Sequence, residues 1–283
     1  MFRHIAMLMG CVVFSASAFA DPATIRASNN QLNIQTMSTN VDYKETGNGI
    51  FGQKGVLLDT EQGDVPGYGV SLSAMSSEDN LYFEAAYDHA KGQTSYIGGL
   101  ASPPTPYGSV VGTSSATLIN YNARFGRGFL IDEFWPESYE PIMLTPYLEL
   151  GHHSWGRGVN FGENYTNDYV GIGGLLQFSP ASSNLVISLS AMVGNTVRSK
   201  ITVNGGPGLG NGFSGTLGTS TIGKYGISAD YAFTPHAHGT VGVDWTTFNY
   251  GASGGFPIGG STFGEPDSST SYVTIKVGLG VSF

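Results

Sequence analysis

The chain has 283 residues, of which 42 are glycine and only 12% are charged, and its formal net charge is −9. That balance argues against a nucleic-acid partner, because phosphate binding needs clustered Lys and Arg and the sequence contains no such cluster. After the N-terminal segment no run of about 18 apolar residues occurs, which excludes a helical membrane span and, with so few charges, points to strands.

The first segment, MFRHIAMLMGCVVFSASAFAD, has a short basic start at Arg3 and His4, an apolar stretch from Ile5 to Phe14, and small residues at Ala18 and Ala20. This is the pattern of a secretory signal peptide spanning residues 1–20 and cleaved after Ala20. LMGC at Leu8–Cys11 is the weaker, lipoprotein-like alternative. Cleavage after Ala20 removes Cys11, the only cysteine, so the mature chain has no disulfide, cysteine nucleophile or thiolate metal site.

From residue 21 to 283 no linker divides the chain, and ten segments read as strands: 31–43, 67–76, 80–90, 115–126, 143–155, 165–178, 184–198, 220–233, 236–249 and 271–283. Apolar and polar side chains alternate along them with period 2. Leu81, Phe83, Ala85 and Tyr87 alternate with Glu84 and Asp88; Ile119, Tyr121, Ala123 and Phe125 alternate with Asn120, Asn122 and Arg124. The last segment does the same from Val273 to Phe283, with Lys276, glycines and hydroxyls on its polar face. Since strand side chains point alternately to the two faces, each segment has one apolar and one polar side.

The connections alternate as well. Long Gly/Ser-rich stretches follow the odd-numbered strands, such as KGQTSYIGGLASPPTPYGSVVGTS and SKITVNGGPGLGNGFSGTLGT, while SSED, SPASS and TP make tight turns after even-numbered ones. Only RGFLIDEFWPESYEPI, after the fourth strand, breaks the rhythm. An all-β, closed antiparallel up-and-down transmembrane β-barrel of about ten strands, with 8 or 12 as the other even counts, accounts for both the alternation and the rhythm. In such a barrel Phe283 ends the closing strand at the periplasmic rim.

The signal peptide, the β segments and the C-terminal alternating strand ending in Phe283 resemble bacterial outer-membrane β-barrels. The resemblance implies that the final strand is an assembly signal read by the barrel-assembly machinery. It also implies residence in the outer membrane, with lipid and lipopolysaccharide as partners. VLLDTEQGDVPGYGVSLS and PYLELGHHSWGRG resemble stretches of a group of outer-membrane barrels that supplies no activity.

The inferred inward charges are Glu84, Asp88, Arg124, Glu149, Arg157, Lys224, Asp230, Asp244 and Lys276. Isolated charges away from water are costly, so these are expected to pair across the lumen. A barrel of about ten strands is little wider than one filled by its own side chains. A plugged, salt-bridged core is therefore the expected state, with a narrow, porin-like solute path as the alternative.

LELGHHSWGRG is the sharpest chemical candidate. His152 and Ser154 follow Leu148 and Leu150 on the outer face, while His153, Trp155 and Arg157 alternate inward. A histidine two residues from a serine can act as base to its nucleophile if a third group, Asn164 or Asp168, orients the imidazole. At His152 and Ser154 alone the element resembles the H-x-S of outer-membrane phospholipase A and lipid A deacylase; Trp155–Gly156 stands where the phospholipase has Asn–Gly. The bland reading puts His152, His153, Trp155 and Tyr147 in an aromatic belt at the membrane boundary. His236 and His238 read as exposed residues of a periplasmic turn, and Asp59, Glu61 and Asp64 as a solvated acidic loop without the calcium-loop pattern. No cofactor, metal site or catalytic residue is expected. The leading expectation is a non-enzymatic barrel with a structural or surface-interaction role, ahead of a narrow transporter and a membrane-facing lipid hydrolase.

Overall fold

A computed structural model describes residues 22–99, 105–131, 141–159, 161–180, 184–206, 210–258 and 261–283. The leader expected at residues 1–20 lies outside them, as do parts of the 100–104, 132–140 and 181–183 connections. A short helix, α1 (Pro22–Ser28), precedes strands β1 (Gln31–Thr46), β2 (Leu57–Met75), β3 (Leu81–Gly98) and β4 (Val110–Arg127). There follow β5 (Phe129–Leu130), β6 (Ile142–Arg157), β7 (Glu163–Phe178), β8 (Leu185–Thr196), β9 (Lys200–Gly206) and β10 (Gly210–Thr216). The chain ends with β11 (Thr221–Thr234), β12 (Ala237–Tyr250), β13 (Phe256–Ile258), β14 (Ser261–Phe263) and β15 (Asp267–Ser282).

Ten of these form a closed antiparallel ring in the order β1-β2-β3-β4-β6-β7-β8-β11-β12-β15, shut by the pairing of β15 with β1 and of β6 with β7. Closure leaves the ring no free edge, so every strand finds a ladder partner on both sides. The helix, the tight turns and the C-terminus gather at one end of the ring, here the turn end. The long connections gather at the other, the loop end.

Period-2 alternation decides what each wall carries. Ile34, Ile172, Val193, Val241, Ile275 and Leu279 point outward and stay exposed, up to 70% at Leu279. An apolar wall this continuous requires a non-aqueous surrounding. Aromatic residues flank it: Tyr225 and Trp245 towards the loop end, and Phe129, Tyr231, Phe233 and Phe283 at the turn end. Inward positions carry the buried tyrosines and the polar set. Small inward residues make room for them: a side chain at Gly151 would overlap the Tyr169 ring, and one at Gly173 the Tyr147 ring.

The structure departs from the sequence reading at the loop end. β2 begins at Leu57 rather than at 67, so Asp59, Glu61 and Asp64 lie in a strand instead of a solvated loop. The Gly/Ser-rich stretch after β8 contains the hairpin β9–β10, whose first strand pairs with β7, and the stretch after β12 contains β13–β14. Inserted glycine and proline mask the alternation there, but β-branched positions such as Ile201 and Val203 still fit a pleated ladder.

Candidate functional site

The lumen is closed at the loop end by a layer built around Arg157. This guanidinium is fully buried and donates to Glu61 Oε1 (2.7 Å), Glu163 Oε2 (3.0 Å) and Asp59 Oδ2 (3.1 Å). Its planar fork suits three carboxylates arriving from two strands. Rings stack around it: its carbon lies 4.5 Å from the Tyr43 centroid and 5.0 Å from that of Trp155. Tyr43 packs on Trp155 at 4.9 Å, Tyr165 on Tyr250 at 4.8 Å, and all four rings are buried. Thr94 Oγ1 donates to the second oxygen of Glu61 (2.7 Å). The acidic segment expected to be solvated is thus internal at Asp59 and Glu61, because Arg157 compensates their charge; Asp64 alone stays exposed, accepting from Asn40 Nδ2 at 2.8 Å.

Below this layer lies a second ionic set. Buried Glu149 accepts from Lys224 Nζ (2.6 Å), Arg124 Nε (2.8 Å) and Tyr169 OH (2.9 Å), while Arg124 also meets Glu84 at 3.4 Å. Lys276 bridges Asp88 (3.1 Å) and Asp244 (3.0 Å). Between the two ionic sets, His153 contacts Asn120 Oδ1 (2.6 Å) and Tyr272 OH (3.2 Å). His153, Trp155 and Tyr147 are buried within the ring, so they do not form a boundary belt; their odd positions in β6 face the lumen. At the turn end α1 lodges inside the mouth, where Ile25 is buried beside Val186 and Met75, and Asn29 exchanges hydrogen bonds with Gln177.

On the outer wall the structure brings His152 to Asp168, Nδ1 to Oδ1 at 2.6 Å, with Tyr121 stacked on the imidazole at 4.7 Å. Arg198 Nε donates to the other oxygen of Asp168 (2.8 Å). Ser154 is not part of this group: its hydroxyl donates to Asn164 Oδ1 at 3.1 Å, and no hydrogen bond joins it to His152. A nucleophile must lie within hydrogen-bond reach of its base, so the H-x-S element makes a histidine–carboxylate pair without its serine.

The turn-end histidines also differ from expectation. His236 is exposed, but His238 is buried in the lumen, with Nδ1 2.7 Å from Asp230 Oδ1 and Nε2 2.6 Å from Ser282 Oγ. Period-2 reading of β12 places His238 on the inner wall; the serine, in the last strand of the chain, comes beside it when β15 pairs with β12.

One buried carboxyl at the loop end titrates in an accessible range. Burial, reinforced by the charge of Glu163, pushes Glu265 from its ordinary 4.5 up to about 8, against the opposing pull of Arg157. The folded barrel therefore holds a proton that the unfolded chain releases. The stability it contributes is full below pH 4.5 and is lost as pH rises towards about 8. We expect urea unfolding to show lower stability at about pH 8.5 than at about pH 5, with a smaller difference in Glu265→Gln. An unchanged difference in the variant would assign the pH dependence elsewhere.

No family model and no curated protein matches the sequence. Among solved structures, the chain is similar to the outer membrane protease OmpT from Escherichia coli, with a TM-score of 0.52 at 11% identity, covering 90% of this chain and 98% of that one. It is also similar to Neisserial surface protein A, with a TM-score of 0.39 at 11% identity and 89% and 97% coverage. A third is the outer membrane protein OprG from Pseudomonas aeruginosa, with a TM-score of 0.36 at 11% identity and 90% and 96% coverage. The OmpT likeness is one of fold: the chain has the closed antiparallel ten-strand barrel of outer-membrane proteins.

Proposed function

We propose that the chain is an integral outer-membrane barrel, sealed across its lumen, which presents its loop-end hairpins to the outside in a structural or surface-interacting role. The observation that supports this reading is the buried layer of Arg157, Tyr43, Trp155, Tyr165 and Tyr250 in the loop-end half of the lumen. The exposed apolar wall with aromatics towards both ends supports burial in a bilayer. Cleavage of the leader after Ala20, assembly through the strand ending in Phe283, and contact with lipid and lipopolysaccharide belong to the same reading. Hydrolysis of lipid at His152 is not part of it, since Ser154 bonds elsewhere.

Site-directed labelling tests the placement. Asn211→Cys lies in the loop-end hairpin and Glu78→Cys in an exposed turn at the opposite end. A membrane-impermeant maleimide should label the first in intact cells, and the second only after the outer membrane is breached. Equal labelling of both in intact cells, or labelling of Glu78→Cys alone, would contradict it.

A further inference from the structure

The serine that does reach a histidine is Ser282. Asp230, His238 and Ser282 stand on β11, β12 and β15, three consecutive strands of the ring, and all occupy inward positions near the turn end. The His238 ring is held from both sides, Nδ1 against Asp230 Oδ1 at 2.7 Å and Nε2 against Ser282 Oγ at 2.6 Å. A neutral imidazole with its proton on Nδ1 satisfies both contacts: it donates to the carboxylate and accepts from the serine hydroxyl. Asp230 is fixed in turn, because Gln31 Nε2 donates to its other oxygen at 3.1 Å and to the Ser28 carbonyl at 2.7 Å. Nucleophile, base and orienting carboxylate are therefore in mutual hydrogen-bond reach, the arrangement by which serine triads are recognised regardless of sequence order.

Burial and access divide between the members as the chemistry requires. His238 is only 2% exposed, shielded from competing water, whereas Ser282 keeps part of its surface. The next inward position along β11, Ser228, is exposed, and the Asp244 side chain beyond it on β12 retains 43% exposure, so this part of the lumen admits water. Gly278 and Gly280 face the same space without side chains. Of the reacting pair, Ser282 rather than His238 is the member that solvent reaches.

We propose that Ser282, His238 and Asp230 form an acyl-transfer triad at the turn end of the lumen, acting on small carboxylic esters. Ser282 Oγ attacks the ester carbonyl carbon while its proton passes to His238 Nε2. The carbon–oxygen bond to the alcohol then breaks, and the alcohol departs with that proton. Water, deprotonated by the same nitrogen, releases the acid from Ser282 and restores the hydroxyl. Asp230 is a positioning residue that keeps the ring in the required tautomer. This activity goes beyond the surface role and stands or falls separately from it.

The test uses the full mature chain folded in detergent micelles, a fluorophosphonate probe, and p-nitrophenyl acetate as ester. Attack by Ser282 displaces fluoride from phosphorus and leaves a stable adduct, which mass spectrometry locates. We expect the adduct on Ser282 in folded protein and its loss on heat unfolding. Ser282→Ala and His238→Ala should each lower labelling and ester turnover by about 100-fold or more, the usual contribution of a general base. Asp230→Asn should lose most labelling while Asp230→Glu regains a share, a rescue that a purely structural latch does not explain. Absence of adduct on Ser282 in folded wild type, or labelling that persists in folded His238→Ala, would overturn the proposal. Should His238→Ala fail to fold, the comparison of folded with heat-unfolded wild type decides it.

Discussion

Replacing Arg157 with leucine is expected to destabilise the folded barrel by about 3–5 kcal/mol, the usual loss when one partner of a buried ion pair is removed. The arginine pairs with Asp59, Glu61 and Glu163 at 3.1, 2.7 and 3.0 Å, in a layer walled by Tyr43, Trp155 and Tyr165. Leucine fills part of the volume but leaves the carboxylates facing one another away from water. Neutralising the partners should therefore restore part of the loss: Arg157→Leu combined with Asp59→Asn and Glu61→Gln should unfold at higher urea than Arg157→Leu alone. Fluorescence of the adjacent Trp155 reports the transition. A loss below about 1 kcal/mol for the single variant, the range of an exposed pair, would show that water reaches this layer.

Glu149→Ala is expected to cost about 3 kcal/mol, the lower end of that range, for a reason visible in its surroundings. The carboxylate is wholly buried and ties Arg124, Lys224 and Tyr169 together, so alanine leaves two cations side by side. Both cations, however, keep some exposure, 16% and 21%, and Arg124 retains Glu84, so part of the charge stays compensated. Glu149→Gln should cost less than Glu149→Ala, because the amide oxygen still accepts a hydrogen bond. Equal midpoints for the wild type and Glu149→Ala would mean that the pairing adds nothing to stability.

The ring was legible in the sequence because each barrel strand repeats one simple pattern. Alternation along β3, β4, β8, β11 and β15 marks both their walls and their order, and the rhythm of connections marks which ends meet. The partners of the inward charges were not legible. Lys276 meets Asp88 from 188 positions away and Arg157 meets Glu61 from 96, distances over which only closure of the ring brings side chains together. At the loop end the local signal misleads for a different reason: acidic residues interspersed with glycine, as in LLDTEQGD, look solvated until a distant arginine is placed between them. His152 and Ser154 show the converse, a short motif whose two members face the same side yet bond to different neighbours. Ser282 carries no local mark at all, being one of several hydroxyls on the polar face of the last strand.

The sealed lumen is tested most directly by electrical recording from the mature protein in a planar lipid bilayer. The proposed seal rests on the Arg157 layer buried among four rings at the loop end and on α1 lodged in the turn-end mouth. The wild-type barrel should therefore insert without stable single-channel steps, even when heat-shifted migration shows that it is folded. Reproducible steps of uniform conductance from folded wild-type protein would contradict a sealed barrel and make the lumen a solute path.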